Sequence, residues 1–120
     1  MEIRARVVMD LADRPFVSSR SGATRLTRPA LDHLLRELGG EWVVVDGHHL
    51  RRTYTFTDFA GALAFVNRVG ALAEEINHHP NVQLSWGKAT IEIWTHTVDG
   101  LSEGDFVFAA RVDVLLTATR

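Results

Sequence analysis

The residues from Glu74 to Pro80, read as Glu-Glu-Ile-Asn-His-His-Pro, combine carboxylates with two adjacent histidines and a proline. Histidine has an unperturbed pKa of about 6.5, so it can both donate and accept protons near neutral pH. Glu74 lies four residues before His78, a spacing that places both side chains on one side of a helix. Pro80 disfavours helical geometry at the preceding residue, so His79 should leave the helix. The pattern favours proton transfer on a small molecule.

A third histidine, His96, closes the run Thr-Ile-Glu-Ile-Trp-Thr-His that begins at Thr90. The alternation predicts a strand whose isoleucines face one side, while Trp94 and His96 face the other. A histidine at a strand end sits on a rigid scaffold, which suits catalysis. There is a simpler interpretation of all three. The histidine pair would only end a helix, favoured by the negative end of its dipole, and His96 would be an exposed loop residue.

An acid near the last predicted helix adds a further candidate. The run Ser102-Glu103-Gly104-Asp105 has a serine followed three residues later by an acid, which matches a capping box. A carboxylate in this position can cap the helix and also orient a nearby histidine. We therefore keep both interpretations of Asp105.

The other aromatic and histidine residues have simpler explanations. Trp86 could stack on a flat heterocycle, but isolated tryptophans such as Trp42, Trp86 and Trp94 are usually core residues. The pair His48-His49 follows Asp46-Gly47 in a predicted hairpin turn, and we expect it at the surface. His33 should lie on the solvated side of the first helix.

The composition limits the possible classes of protein. The 120 residues, 46% hydrophobic and 23% charged, suit one small globular domain. The net charge of -2, with no basic block, argues against direct nucleic-acid or membrane-surface binding. With no cysteine, no leader expected and no apolar run of bilayer length, the expectation is a cytoplasmic protein. We expect no metal, because adjacent histidines rarely bind one ion and no HExxH spacing is present.

The apolar periodicity predicts an α+β fold, with helices packed on one face of an antiparallel four-stranded sheet. Thr27 and Thr57 should cap the first two helices, with Asp58 in the first turn of the second. Residues 1–25 are an N-terminal extension with a possible short strand at 3–9 and a flexible connection at 18–22, and residues 26–120 form the domain. The predicted order is helix 28–38, strands 41–45 and 50–56, helix 58–76, strands 82–85 and 89–96, and a last helix from about 102 to 116.

These motifs together resemble the pterin-4a-carbinolamine dehydratase family over about residues 26–114. The family pattern has an acid four residues before His-His-Pro, then an aromatic residue, a Thr-His pair at a strand end and an aspartate that opens the last helix. This chain has all of them in order, and it departs from the pattern in residues 1–25 and in the Asp46-Gly47-His48-His49 turn. The matching segments are Phe56–Phe59, Ala64–Val66, Glu74–Pro80, Trp86, Thr95-His96 and Gly100–Asp105.

The resemblance implies a reaction and a set of residues. Such enzymes remove water from 4a-hydroxytetrahydropterin and give quinonoid dihydropterin, without a cofactor, in tetrahydropterin recycling. By position, the proton-transfer groups would be His78, His79 and His96, with acid and base left open. Glu74 and Asp105 would orient these imidazoles. The pterin would be bound by Pro80, Trp86, Thr95, Thr97 and Val98, with Trp86 as an aromatic wall.

The resemblance also implies a homodimer or homotetramer, and it leaves two alternatives to the dehydratase. One is a binding, assembly or transcription-coactivator protein on the same fold, since a fold alone does not establish catalysis. The other is a related hydro-lyase that acts on a different heterocycle. The complete histidine set favours the enzyme, because a pure interaction protein has no physical need for it.

Overall fold

A computed structural model describes residues 10–17 and 22–119 of the chain. The elements follow the predicted order of helix, two strands, helix, two strands and helix. A short 3-10 turn, Leu11–Asp13, precedes them, and a second one, His96–Val98, lies before the last helix. The main elements are α1 (Arg28–Leu38), β1 (Val43–Val45), β2 (His49–Thr55), α2 (Phe59–Ile76), β3 (Asn81–Ser85), β4 (Lys88–Ile93) and α3 (Glu103–Thr119).

The four strands form one antiparallel sheet in the order β1-β2-β4-β3. In the central pair, Leu50 lies opposite Ile93, and Tyr54 lies opposite Ala89. These side chains are buried and face the helices. The alternate positions, such as the facing pair Thr53 and Thr90, lie on the uncovered side and are polar. The predicted α+β fold with helices on one face of an antiparallel sheet is confirmed.

The helix ends follow from specific residues. The Thr27 hydroxyl accepts a hydrogen bond from the Ala30 N–H at 3.3 Å, as predicted for the start of α1. At the start of α2 the prediction was wrong by one residue. Asp58, and not Thr57, is the cap, and its carboxylate accepts the Gly61 N–H at 2.8 Å. Both residue types are good N-caps, so their order in the sequence does not decide between them.

The strand ends also depart slightly from the predictions. The β1–β2 turn is a tight one, in which Asp46 and Gly47 have φ of 54° and 65°. A turn with positive φ at both residues matches the right-handed twist of the flanking strands, which explains why Asp46-Gly47 predicts a hairpin. The last strand was predicted to reach His96 but ends at Ile93. Thr95 instead forms an isolated bridge with Gly100, which closes a turn beyond the strand.

The core lies between the helices and the covered face of the sheet. Ile91 and Ile93 of β4 contribute to it from the sheet, Phe65 and Val69 from α2, and Phe106 from α3; all five are fully buried. Within the described ranges, no helix is long and apolar enough to span a membrane.

Asp113 of α3 ties this helix to the sheet through side-chain hydrogen bonds. Its carboxylate accepts the indole N–H of Trp42, a guanidinium N–H of Arg52 at 2.9 Å and the hydroxyl of Tyr54 at 2.5 Å. This polar cluster closes one end of the helix–sheet interface.

Part of the N-terminal extension packs on the domain. Leu11 is buried, and the Arg111 guanidinium donates to the backbone carbonyls of Ala12 and Arg14 at 3.0 and 2.7 Å. The Arg14 side chain is 2.6 Å from Glu37 of α1 and 3.1 Å from Glu103 of α3. The strand expected at 3–9 and most of the connection expected at 18–22 lie outside the described residues.

Candidate active site

The adjacent histidines follow a sharp change in backbone direction at the end of α2. Asn77 has left-handed geometry with φ of 56°, and its N–H binds the Ala73 carbonyl. The His78 N–H binds the same carbonyl at 3.2 Å. This is the usual termination by a left-handed residue, and asparagine is one of the few side chains that tolerate it. Both histidines therefore lie beyond the helix.

His78 is bound to a buried carboxylate. Its Nε2 is 2.7 Å from Oδ1 of Asp105, whose side chain is 0% exposed. Oδ2 of Asp105 accepts the Thr95 hydroxyl at 2.8 Å and the Ser102 N–H at 2.9 Å. A carboxylate can only accept hydrogen bonds, so the His78 Nε2 donates to Oδ1, which leaves Nδ1 for proton exchange.

His79 has its own carboxylate. Its Nε2 is 2.6 Å from Oε2 of Glu74. The sequence had paired Glu74 with His78 through helical spacing, and that expectation was wrong because the helix ends at Ile76, before either histidine. The two side chains are 52% and 78% exposed, so water screens this pair far more than the His78–Asp105 contact.

His96 comes from the turn after β4, and not from the strand end that the sequence predicted. It opens the 3-10 turn His96–Val98 and is exposed. Its ring stacks on Trp94, with centroids 4.6 Å apart and planes inclined by 24°. The turn is anchored by Thr95, which is 2% exposed and whose hydroxyl contacts Asp105. The same buried carboxylate therefore supports both His78 and the turn that carries His96.

All three imidazoles line one hollow of about 190 Å³ that is open to solvent. Of the residues expected to bind substrate, Thr95 and Thr97 also line it. Pro80 follows His79 directly in the chain, and Val98 ends the His96 turn. The Val98 carbonyl accepts two hydrogen bonds from the Arg25 guanidinium, which fixes this end of the turn. The full lining is Asn77, His78, His79, Trp94, Thr95, His96 and Thr97.

Trp86 does not meet these residues within one chain. It lies in the β3–β4 turn, and β3 starts next to Pro80 and runs for five residues away from the histidines. At about 3.3 Å per residue, this separates Trp86 from the hollow by roughly 16 Å. The side chain is 69% exposed, so the core position expected for it was wrong, whereas its role as an aromatic wall stays a prediction. Trp42 is buried as expected.

Three aromatic residues that the sequence did not assign to the site contact its histidines. Trp94, expected in the core, lines the hollow and stacks on His96. Phe16, from the N-terminal extension, packs on the His78 ring at 5.1 Å. Phe108 of α3 contacts the same ring edge-to-face at 5.8 Å. The alternation that suggested a strand had already placed Trp94 and His96 on one side, whereas no local pattern marks Phe16.

The arrangement can move protons. Two imidazoles have Nε2 bound to a carboxylate, a third is exposed nearby, and the hollow between them admits solvent. In the part of the chain that the structure describes, no group of three or more His, Asp or Glu side chains is placed to hold a metal ion.

The sequence profile described as pterin 4 alpha carbinolamine dehydratase matches residues 24–115. The chain therefore belongs to the pterin-4a-carbinolamine dehydratase family.

Individual relatives agree with this assignment. A protein of Rubrobacter xylanophilus with the provisional name pterin-4-alpha-carbinolamine dehydratase is 53% identical over 88% of this chain and 98% of its own length. One of Rickettsia bellii, named in the same way, is 41% identical over 91% of this chain and 96% of its own.

Two solved structures have the same fold. The crystal structure of a transcriptional coactivator/pterin dehydratase from Brucella melitensis superimposes with a TM-score of 0.73 and 30% identity, over 78% of this chain and 99% of that one. A pterin dehydratase-like protein identified as a RuBisCO assembly factor in the alpha-carboxysome gives a TM-score of 0.57 and 28% identity, over 66% and 93%.

Proposed function

We propose that this protein catalyses the dehydration of 4a-hydroxytetrahydropterin to quinonoid dihydropterin, in the recycling of tetrahydropterin. The observation that carries the proposal is the common hollow of His78, His79 and His96, in which the adjacent pair meets a histidine from a distant part of the sequence. Family membership supplies the substrate class. The acid–base character of the lining residues suits the reaction.

The reaction requires two proton transfers and no change of oxidation state. A base removes the proton from a ring nitrogen, a C=N bond forms, and the bond from C4a to the hydroxyl breaks. An acid gives its proton to the departing hydroxyl, which leaves as water. Imidazole can fill either role near neutral pH, and each role contributes about 10²–10⁴-fold to the rate.

The carboxylates suit the positioning of two of these imidazoles. In the proposal, Asp105 holds the ring of His78 and Glu74 holds that of His79, so that each can exchange a proton through Nδ1. His96 acts from the turn after β4. Thr97, Pro80 and Val98 contact the substrate around these groups, while Thr95 acts through its hydrogen bond to Asp105. The assignment of acid and base among the three histidines stays open.

Kinetics of histidine variants test the proposal. The purified protein should accelerate the decay of chemically generated 4a-hydroxytetrahydropterin above its spontaneous rate. His78→Ala combined with His79→Ala should lose at least about a hundredfold of this acceleration, because it removes a proton-transfer group. His33→Ala is the matched control, since His33 is 70% exposed on α1, away from the hollow. An unchanged rate in the folded double variant would refute the assigned site.

A binding or assembly role on the same fold is the second candidate. It is favoured by the relative whose title names it a RuBisCO assembly factor and by the one titled transcriptional coactivator/pterin dehydratase. The same assay separates the two functions: a folded wild-type protein without any acceleration would favour the non-catalytic role.

We also propose that the protein acts as a homodimer or homotetramer, as the family resemblance implies. Light scattering of the purified protein measures the mass directly, and a monomer at micromolar concentration would contradict this part of the proposal.

A further inference from the structure

The turn of the first hairpin reaches the candidate site through a chain of aromatic rings. His48 and His49 follow the tight Asp46-Gly47 turn, and their ring centroids lie 5.1 and 5.6 Å from Trp94. Trp94 in turn stacks on His96. Both hairpin histidines lie at the surface, as expected, but are partly buried. We refer to His48, His49 and Trp94 as the hairpin cluster.

The hairpin also contacts the far end of the turn that carries His96. The Nε2 of His48 is 2.9 Å from Oδ1 of Asp99. Asp99 ends the His96–Val98 turn in left-handed geometry, with φ of 49°, and its N–H binds the His96 carbonyl. The His96 turn is therefore held at its start by the stack on Trp94, and at its end by His48 on the Asp99 side chain and by Arg25 on the Val98 and Asp99 carbonyls.

The polar contacts of the hairpin cluster hold both imidazoles. Asp99 can only accept, so the His48 Nε2 donates to it. The other nitrogen of His48, Nδ1, lies 3.1 Å from the Nδ1 of His49, so the two rings share a hydrogen bond. The other nitrogen of His49 faces Glu92 at 3.5 Å, and Glu92 also contacts Arg51 at 3.7 Å. Each imidazole of the pair has a defined orientation.

We propose that His48 is a positioning residue for His96, acting through Trp94 and Asp99. The catalytic consequence rests on the dehydratase function proposed above, whereas the positioning itself does not. His48 does not line the hollow, so its loss should lower kcat more than it raises KM. Misplacement of a catalytic group by about 1 Å can cost about a hundredfold in rate. Because Asp99 is largely exposed and water screens its contact, we expect a smaller loss of about threefold to tenfold.

Nuclear magnetic resonance of the histidine rings tests the positioning independently of activity. A ring stacked on an indole has its carbon-bound protons shifted upfield, so the His96 resonances, assigned with His96→Gln, should be displaced upfield in the wild type. His48→Ala should remove most of this displacement. His48→Gln should retain part of it, because its amide N–H can still donate to Asp99. His33→Ala, the control, should leave it unchanged.

A second variant removes the same contact from the other side. Asp99→Gly deletes the acceptor and suits the left-handed backbone, so it should fold and reproduce the His48→Ala spectrum. His96 resonances that stay at their wild-type positions in both variants would overturn the proposal. If the resonances move but the wild type has no dehydratase activity, the positioning stands and the proposed function fails. If the resonances stay fixed while the wild type is active, the function stands and the positioning fails.

Discussion

The Nε2 of His78 lies 2.7 Å from Oδ1 of Asp105, a carboxylate that is completely buried at the start of α3. Asp105 also accepts hydrogen bonds from Thr95 and Ser102, so one side chain joins the end of α2, the turn after β4 and the last helix. Asp105 makes the contact to the Ser102 N–H expected of a capping box and the contact to His78 that an orienting role requires. The same carboxylate should therefore matter for stability and for proton transfer.

Asp105→Asn should separate these two roles. The amide keeps the size of the side chain but can no longer accept hydrogen bonds at both ends, so the His78 tautomer is no longer fixed. We expect kcat to fall by about 10–100-fold, which is the usual effect of removing a hydrogen-bond partner that orients a metal-binding histidine in other enzymes. Asp105→Ala should in addition lower the free energy of unfolding by about 3 kcal/mol, because it leaves buried donors unpaired.

The matched control is Asp32→Asn, which changes a half-exposed acid on α1. It should leave both kcat and the urea midpoint unchanged. Full activity in Asp105→Asn would contradict the orienting role.

Glu74→Gln should be much milder than Asp105→Asn. The Glu74–His79 pair is exposed at both partners, and exposed ion pairs contribute only about 0–1 kcal/mol. We expect the rate to fall by less than about fivefold and the urea midpoint to stay within error. If Glu74→Gln reduced kcat as strongly as Asp105→Asn, burial would not explain which of the two carboxylates contributes more to the rate.

Gly104→Ala should disturb the contact between the N-terminal extension and His78. A Cβ at Gly104 would lie 2.9 Å from the Phe16 ring and 3.2 Å from the Val17 carbonyl. Alanine alone would stabilise an exposed helix position by about 1 kcal/mol relative to glycine. We expect this gain to be absent or reversed in chemical denaturation, with faster hydrogen exchange around residues 10–17.

Gly70→Ala is the matched control for that variant. It also lies in a helix, α2, but has nothing within 4 Å of the added Cβ. This variant should therefore gain about 0.5–1 kcal/mol in the free energy of unfolding. An equal gain in both variants would show that Phe16 does not pack against Gly104.

Tyr54 should make the fold sensitive to alkaline pH. Burial, followed by the nearby charge of Asp113 and the hydrogen bond to it, raises the pKa of Tyr54 far above its usual value of about 10. Above about pH 10 the unfolded chain loses the phenolic proton, while the folded chain keeps it. Stability is therefore fully present below pH 10 and falls above it, by up to about 1.4 kcal/mol per pH unit.

The measurement is direct, because the chain has a single tyrosine. Tyrosinate absorbance should rise only as the protein unfolds, and Tyr54→Phe should lack this part of the alkaline loss of stability. A folded protein that forms tyrosinate near pH 10 would contradict the assignment.

The sequence predicted the fold well because its signals are local. The threonine cap at Thr27, the Asp46-Gly47 turn and the apolar stripe of α2 each define a boundary or a face without reference to distant residues. The misses are local ambiguities decided by tertiary contacts. The strand expected to reach His96 stops at Ile93, because the Thr95 hydroxyl bonds to Asp105 ten residues later.

The sequence predicted the site residues that belong to a recognisable motif. It did not predict those that reach the site only through tertiary packing. The clustering of the three histidines around one hollow agrees with the resemblance. Their partners differ in part, because the left-handed turn at Asn77 takes both histidines out of the helix and brings His79, and not His78, to Glu74. Phe16 has no sequence signal for its contact, since it reaches His78 only once the N-terminal extension has packed on the domain.

The central claim is that a pterin ring occupies the hollow of the three histidines, and a crystal structure with a bound oxidised pterin tests it most directly. The account predicts the bicyclic ring among His78, His79 and His96, with its ring nitrogens within hydrogen-bonding distance of these imidazoles. The structure offers a clear contrasting location, a hollow of about 410 Å³ on the uncovered face of the sheet, which Arg51 and Glu92 help to line. A pterin bound there, with the three histidines unoccupied, would contradict the account.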